Sequence, residues 1–236
     1  SKAHLVAVFE RMEREIPDRR YATLLRNHDQ TRTMTELGGD VDRARVAATL
    51  LLTLPGTPFV YYGEEIGMTA SKSRGDPRLR TPMHWSVEHG VGFTGGTPWE
   101  PLRPDSFTAN VEVLDPEPGS LLNHYRRMIR LRKANPALAG GDFVNLETGR
   151  DDVLAFLRRS GDQTALVLVN LGTEPAADIV VRAAGPGLPA GRYEVRALDG
   201  GASAPAITAE DGPAPWSPAT ALPSLSGRVF ELVPGA

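Results

Sequence analysis

The length, composition and charge of the chain set the first limits on its function. Its 236 residues allow one large domain or two small ones, and a hydrophobic content of 41% is ordinary for a globular protein. The net charge of -3 argues against nucleic acid or a membrane as a partner, no apolar run is long enough to span a bilayer, and the absence of cysteine excludes disulfides and thiolate metal sites.

The first predicted element is a helix over residues 3–15. Apolar side chains recur there at helical spacing, at Leu5, Val8, Phe9, Met12 and Ile16. Pro17 ends the pattern. In a strand–helix repeat each helix follows a strand of its own, and no strand precedes this helix in the sequence. We therefore expect the chain to begin inside a larger architecture. The first residues carry neither methionine nor signal-peptide character, so the sequence leaves the localisation open.

Two short predicted strands follow, and both end in acidic side chains. The run 24–29 begins with two leucines and ends in Asn27, His28 and Asp29. The run 57–65 is aromatic and β-branched and ends in two glutamates. Taken alone, an Asn or Asp in such a place is more often a helix cap than a functional residue. Because both predicted strands end in acidic side chains, we interpret these side chains as functional residues and not as helix caps.

The segment between these two strands predicts a helix over residues 40–54. Asp40 is its candidate N-cap, and an apolar row recurs at Val46, Leu50 and Leu54. A strand, a connecting helix and a second strand imply that the two strands run parallel. Parallel strands of an α/β barrel present functional side chains at their C-terminal ends. The acidic side chains are therefore expected to face one site.

The motifs at these strand ends resemble those of the α-amylase family of glycoside hydrolases (family 13). The resemblance is carried by Asn27-His28-Asp29 with Arg32, and by the run 54–68, Leu-Pro-Gly-Thr-Pro-Phe-Val-Tyr-Tyr-Gly-Glu-Glu-Ile-Gly-Met. Two later runs are similar to the α-glucosidase and oligosaccharide-hydrolase branch of that family. They are Arg-Thr-Pro-Met-His-Trp at 80–85 and Gly-Phe-Thr-Gly-Gly-Thr-Pro-Trp at 92–99.

The second half of the chain changes from helical to strand-like patterning. Residues 120–135 predict an amphipathic helix, and we interpret its charged face of Arg126, Arg127, Arg130 and Lys133 as solvated and not as a phosphate-binding surface. Short apolar or alternating runs follow at 153–158, 165–170, 178–182, 192–197 and 228–233. Ser160-Gly161-Asp162 predicts a hairpin turn between the first two. This patterning predicts an antiparallel all-β domain.

The predicted fold class is α/β plus all-β. The resemblance implies that residues 1–139 are the C-terminal part of a catalytic (β/α)8 TIM barrel, whose long loop over 67–119 lines the substrate cleft. Residues 140–236 are expected to form an antiparallel β-sandwich domain that gives structural support. Missing barrel strands would leave apolar surface exposed in this chain, and such surface favours self-association.

The resemblance also implies roles for three residues. Asp29 matches the acid that stabilises the transition state without acting as nucleophile or proton donor. His28 would donate a hydrogen bond to the same sugar, and Arg32 would shape that subsite and pair with a nearby acid. The family's nucleophile and proton donor lie in motifs on earlier barrel strands, and these residues contain no such motif. The chain alone is therefore expected to be inactive, with the N-terminal remainder of the barrel as its partner.

No cofactor and no metal site are predicted for this chain. Its histidines are scattered, and none stands at ligand spacing from another. The resemblance implies that calcium, where family members bind it, occupies a loop outside these residues.

Two pairs of residues leave alternatives open. Glu64 and Glu65 are interpreted as supporting residues at the barrel rim, because paired carboxylates after a buried strand are more often scaffold than an acid/base couple. Trp85 and Trp99 can stack on sugar rings, or they can fix the long loop to the barrel.

Two positions depart from the α-glucosidase pattern. His84 stands where glutamine is usual, and Ser86 stands where an acid is common. Both lie in the loop expected to shape the substrate entrance, so linkage and chain-length preference stay open.

Three functions are compatible with these motifs. The first is a retaining hydrolase that cleaves α-glucosidic bonds in short oligosaccharides, of which this chain is a part. The second is a transglycosylating or isomerising relative, such as a trehalose synthase, that uses the same acids but excludes water. The third is a non-catalytic carbohydrate-binding member. The complete Asn-His-Asp run with Arg32 disfavours the third function, because a scaffold needs no carboxylate there.

Overall fold

The computed structural model describes residues 2–16, 18–183, 187–210, 214–218 and 220–235. The chain divides into two compact units. The first unit comprises Ser1–Tyr21, Leu52–Thr57 and Met128–Ala236, and the second comprises Ala22–Leu51 and Pro58–Arg127. The division into a barrel part over 1–139 and a sandwich over 140–236 stays a prediction.

The described residues form six α-helices and nine strands. The α-helices are α1 (Lys2–Glu15), α2 (Thr33–Glu36), α3 (Val41–Thr53), α4 (Val111–Leu114), α5 (Leu121–Ala134) and α6 (Pro136–Gly140). The strands are β1 (Ala22–Leu24), β2 (Thr57–Phe59), β3 (Asp142–Glu147), β4 (Val153–Ser160), β5 (Gln163–Asn170), β6 (Arg182–Ala183), β7 (Gly191–Ala197), β8 (Ala204–Ala209) and β9 (Ser226–Pro234). The three predicted helices are confirmed as α1, α3 and α5.

Local capping explains where two of these helices begin. Asp40 Oδ1 accepts hydrogen bonds from the backbone N–H groups of Asp42 and Arg43, at 2.9 and 3.1 Å, as expected of an N-cap. Ser120 Oγ accepts one from Asn123 N over 3.1 Å at the start of α5.

Asn135 lies between the end of α5 and Pro136 and caps the helix that follows. Its Oδ1 accepts from Leu138 N over 3.1 Å, so it caps a new short helix, α6. Pro136 then occupies the first turn of α6, where a missing N–H costs no hydrogen bond.

β1 and β2 form a two-stranded sheet of three-residue strands. The two predicted strands are thus confirmed at the start of the runs 24–29 and 57–65, although each ends before its polar residues. Leu24, Phe59 and Val60 are exposed, which agrees with the apolar surface expected on the strands of a partial barrel.

The long segment over 67–119 is irregular, as predicted. Its regular structure is α4 and four single-turn 3₁₀-helices, at Lys72–Arg74, Asp76–Leu79, His89–Gly92 and Pro104–Phe107. Ile66 and Met68 pack with Met83 and Leu122 in a buried cluster that anchors this segment. The segment is therefore ordered by a core of its own, despite its irregular backbone.

The remaining strands form a seven-stranded sheet in the order β6-β3-β4-β5-β9-β7-β8. The neighbouring strands pair antiparallel throughout. The β4–β5 hairpin closes with Ser160 opposite Gln163, and Gly161 has φ 54°, so the predicted turn is confirmed. β4 and β5 are buried on both faces, because α6 packs against them and the main apolar core lies on their other side. A second sheet packed as a sandwich stays a prediction.

The strand predicted over 178–182 is wrong over most of its length. Asp178 has φ 51°, which a strand residue cannot adopt, and Val181 makes only an isolated bridge to Trp216. Regular pairing begins at Arg182, in the two-residue strand β6. The strands β3 and β8 lie outside the predicted runs.

Candidate functional site

Asp29 lies in a short turn after β1 and is held on both carboxylate oxygens. Asn27 Oδ1 accepts from the backbone N–H of Asp29 over 3.0 Å, which fixes the turn. Arg80 Nη2 donates to Asp29 Oδ1 over 2.7 Å, and His28 Nε2 lies 3.3 Å from Asp29 Oδ2. The Asp29 side chain is still 51% exposed. A carboxylate held in this way keeps lone pairs free to accept hydrogen bonds from a ligand.

Two cations of the long segment bind the backbone beside Asp29. Arg80 Nε donates to His28 O over 3.3 Å, and Lys72 Nζ donates to Asp29 O over 2.9 Å. The segment therefore fixes the turn as well as the carboxylate. No role for Arg80 was predicted from the sequence, although its position at the start of the Arg-Thr-Pro-Met run was the signal that could have indicated one.

Arg32 lies beneath this surface, with 1% of its area exposed. Its Nη1 donates to Tyr62 O over 2.6 Å and its Nε donates to Leu79 O over 3.2 Å. The guanidinium also lies 4.5 and 4.7 Å from the ring centres of Tyr61 and Tyr62. Within the described ranges it has no carboxylate at ion-pair distance and its buried Nη2 has no hydrogen-bond partner, so the expected pairing with an acid stays a prediction. Arg32 here joins the end of β2 to the long segment.

Glu64 is a buried carboxylate with two hydroxyl partners. Tyr125 Oη donates to Oε1 over 3.2 Å, and Thr33 Oγ1 lies 3.5 Å from Oε2. Burial, and to a lesser degree the neighbouring Glu65, raises the pKa of Glu64 to about 7. These contacts fit the supporting role interpreted from the sequence.

Glu65 has a different environment from its neighbour. Its Oε2 is buried and has no hydrogen-bond partner in the described part of the chain. Burial raises the pKa of this carboxyl. Glu65 lines a cavity of about 410 Å³, whereas Glu64 does not.

The cavity is lined by apolar side chains together with a few polar groups. Its lining includes Glu65, Arg80, Thr81, Trp85, Phe93 and Trp99. The three aromatic rings are exposed, Trp99 most of all at 68%. Trp85 is anchored through its backbone, because its N–H donates to Val91 O over 2.8 Å. These side chains are exposed, and the two alternatives for Trp85 and Trp99, stacking on a sugar ring and fixing the loop, both stay predictions.

His84 does not line this cavity, although it lies beside residues that do. The side chain is fully buried, and its Nδ1 lies 2.9 Å from Ala109 O. Because a carbonyl only accepts, Nδ1 carries the proton and Nε2 is left as an acceptor without a partner among the described residues. His84 therefore belongs to the interior of the long segment and not to the surface that lines the cavity.

The described part of the chain holds no cluster of three His, Cys, Asp or Glu side chains that could bind a metal ion. None of its described helices is long and apolar enough to cross a membrane.

The family described as "Alpha amylase, catalytic domain" matches residues 2–141. Alpha-amylase 3 of Dictyoglomus thermophilum is 37% identical over 153 residues, which are 64% of this chain and 30% of the relative. An oligo-1,6-glucosidase of Halalkalibacterium halodurans is 32% identical over 182 residues, which are 61% of this chain and 32% of the relative. The chain thus spans about a third of the length of these relatives.

The fold is similar to that of isomaltulose synthase from Klebsiella sp. LX3. The TM-score is 0.72 at 25% identity, over 96% of this chain and 46% of the solved one. The family match covers the segment that contains Asp29, Arg80 and the aromatic cavity. The chain therefore belongs to the α-amylase family of glycoside hydrolases, a TIM-barrel family.

Proposed function

We propose that the protein containing this chain is a retaining hydrolase of α-glucosidic bonds in short oligosaccharides. The observation that carries the proposal is the exposed Asp29 carboxylate, held by Arg80 and His28 beside an aromatic cavity. The similarity to an oligo-1,6-glucosidase supports the substrate class.

In this proposal Asp29 acts on the charge that develops during bond cleavage. Glycoside hydrolysis passes through an oxocarbenium-like state, and a nearby carboxylate stabilises positive charge at the reacting carbon. The free lone pairs of Asp29 would accept hydrogen bonds from sugar hydroxyls, and His28 would donate one to the same ring. Arg32 would contribute indirectly, because it fixes Tyr62 and Leu79 beneath the site.

The nucleophile and the proton donor are proposed to come from the remainder of the barrel. Retention requires both groups, and neither family motif occurs in the residues of this chain. We expect these 236 residues alone to show no turnover. The seven-stranded sheet is proposed to belong to a β-sandwich domain that supports the barrel. Calcium, where needed, would bind outside this chain.

An isomerising transglycosylase is the second candidate, because the fold is similar to an isomaltulose synthase. Both candidates would use the same carboxylates and differ in whether water or a sugar attacks the glycosyl intermediate. Product analysis separates them: free glucose indicates hydrolysis, and a rearranged disaccharide indicates isomerisation.

The test of the site is Asp29→Asn in the intact protein, assayed on maltose, isomaltose and a chromogenic α-glucoside. We expect kcat to fall by about 10²-fold or more, since a charge that stabilises the transition state is lost. Asp42→Asn is the matched control, because Asp42 is also exposed and paired with an arginine, Arg45. Full activity of Asp29→Asn, or an equal loss in Asp42→Asn, would refute the assignment.

A further inference from the structure

We propose that Asp105 is a positioning residue for Asp29, on which it acts through residues 69–72 of the long segment. These four residues bind Asp105 at one end and the turn that carries Asp29 at the other. The inference rests on the proposed function, because it takes Asp29 as the carboxylate that stabilises the transition state.

The carboxylate of Asp105 fixes the first residue of the 69–72 segment. Its Oδ2 accepts hydrogen bonds from the backbone N–H and from the Oγ1 hydroxyl of Thr69, each over 2.7 Å. Hydrogen bonds to a charged acceptor are roughly twice as strong as neutral ones. The other oxygen, Oδ1, is buried and has no hydrogen-bond partner among the described residues. Within the described chain the Asp105 carboxylate therefore holds Thr69 alone, by its backbone and its side chain together.

Asp105 is itself held by the structure around it. It lies in the 3₁₀-helix Pro104–Phe107, and its carbonyl oxygen accepts from Ala109 N over 2.7 Å. The next residue, Ser106, is buried, and its carbonyl oxygen accepts from the buried Asn110 Nδ2 over 2.8 Å. Because the backbone on both sides is fixed, the carboxylate can serve as an anchor.

Ala70 joins the 69–72 segment to the start of α2. Arg32 N donates to Ala70 O, and Ala70 N donates to Thr35 Oγ1, both over 2.9 Å. Ala70 is fully buried, so water does not compete for these two hydrogen bonds. The chain that follows Asp29 is therefore held against this segment.

Lys72 joins the far end of the segment to Asp29 itself. Its backbone N–H donates to Thr31 Oγ1 over 3.1 Å, and its ammonium group donates to Asp29 O over 2.9 Å. A carboxylate on a short turn takes its position from the backbone, so a shift of the 69–72 segment displaces the carboxylate of Asp29. A displacement of about 1 Å at a group that acts on the transition state can cost about 10²-fold in rate.

Asp105 has no direct route to the substrate in the described part of the chain. It is not among the residues that line the aromatic cavity, and its side-chain hydrogen bonds go to Thr69 and not to Asp29. An effect of Asp105 on turnover must therefore pass through the 69–72 segment.

The test is a double-mutant cycle in the intact protein, with kcat/KM for isomaltose as the readout. Asp105→Ala should lower kcat/KM by about tenfold when Asp29 is present. In the Asp29→Asn background the carboxylate to be positioned is absent, so Asp105→Ala should lower the residual kcat/KM by less than about twofold. A merely structural role of Asp105 predicts the same loss in both backgrounds.

Two further variants keep the test valid if Asp105→Ala fails to fold. Thr69→Val removes one of the two hydrogen bonds to Asp105 at almost unchanged volume, and it should lower kcat/KM by about threefold, again only when Asp29 is present. Asp105→Asn keeps an oxygen that can accept from Thr69, so it should recover most of the activity that Asp105→Ala loses.

Asp115→Ala is the control for Asp105→Ala. It removes another carboxylate of the long segment, which pairs with Arg126 and not with the 69–72 segment. This change should leave kcat/KM for isomaltose unchanged.

Amide hydrogen exchange tests the connection without turnover. The N–H groups of Arg32 and Ala70 link the 69–72 segment to the start of α2, so Asp105→Ala should speed their exchange by about tenfold, while exchange within α3 stays unchanged. Unchanged exchange of these two amides, or equal losses of kcat/KM in both Asp29 backgrounds, would overturn the positioning role even if the protein hydrolyses α-glucosides. Faster exchange in a protein that hydrolyses no α-glucoside would overturn the hydrolase and keep the connection from Asp105 to the Asp29 turn.

Discussion

Arg80 donates a hydrogen bond from Nη2 to Oδ1 of Asp29 over 2.7 Å, across a separation of 51 residues. The two residues lie on different segments, one in the turn after β1 and the other after a 3₁₀-helix of the long segment. Both side chains remain partly exposed, so the pair contributes little to folding stability. We expect the Arg80–Asp29 pair instead to hold the Asp29 carboxylate in one orientation.

The first prediction concerns this orientation. If Asp29 acts as proposed, Arg80→Met should lower kcat/KM for isomaltose by about tenfold in the intact protein, because a small misplacement of the Asp29 carboxylate is costly. Thermal unfolding should change little. Arg80→Lys should recover part of the activity, since a lysine can still donate to Asp29.

Arg78→Met is the control for Arg80→Met. Arg78 lies in the same segment and is similarly exposed, but it pairs with Glu100 at 3.3 Å and not with Asp29. Activity should survive this change. An equal loss of activity in both variants would show that the activity depends on the long segment as a whole and not on the contact between Arg80 and Asp29.

The second prediction concerns the buried Glu64. Its pKa is raised to about 7, so the folded state holds the proton at pH values where the unfolded chain has released it. The contribution of Glu64 to stability is therefore fully present below its unfolded value, near 4.5, and is lost as pH rises through about 7. The loss has a maximal slope of about 1.4 kcal/mol per pH unit.

The measurement is the free energy of unfolding of the wild type and of Glu64→Gln between about pH 5 and 8. Glutamine stays neutral and can keep both hydroxyl contacts, so Glu64→Gln should gain stability relative to the wild type as pH rises. Glu15→Gln changes an exposed residue on α1, so its free energy of unfolding should depend on pH as that of the wild type does. Parallel pH curves for the wild type and Glu64→Gln would contradict the raised pKa.

The sequence predicts local features of this fold better than long-range ones. The Asp40 cap and the Gly161 turn depend on neighbouring residues, so their patterns suffice. The burial of Arg132 on α5 could not be predicted in this way. Its guanidinium donates to four backbone carbonyls, of Leu52, Leu54, Gly56 and Ala139, and only the folded chain brings these together.

The same distinction applies to the candidate site. The Asn27-His28-Asp29 run indicated the carboxylate, because it follows an apolar strand directly. The pairing of Asp29 with Arg80 depends on the path of an irregular segment. The sequence of that segment has no hydrophobic periodicity from which the contact could be predicted. The difference between Glu64 and Glu65 likewise depends on Tyr125, which lies 61 residues from Glu64 on α5.

The last prediction concerns His84, which is neutral inside the long segment. Burial lowers its pKa, although the carbonyl of Ala109 and the nearby Asp105 oppose the shift, and Arg32 and Arg103 add to it. A lowered pKa means that the unfolded chain binds the proton first as pH falls. Stability from this group is therefore fully present above its ordinary value of 6.5 and is lost as pH falls below it.

His84→Gln should remove this acid sensitivity, because an amide can still donate to Ala109 O but cannot be protonated in this range. The measurement is the free energy of unfolding between about pH 5 and 7, where the wild type should lose more stability than His84→Gln on acidification. His89→Gln is the control, since His89 is exposed and should leave the wild-type curve unchanged. If His84→Gln loses stability on acidification as steeply as the wild type does, His84 is not the group that titrates.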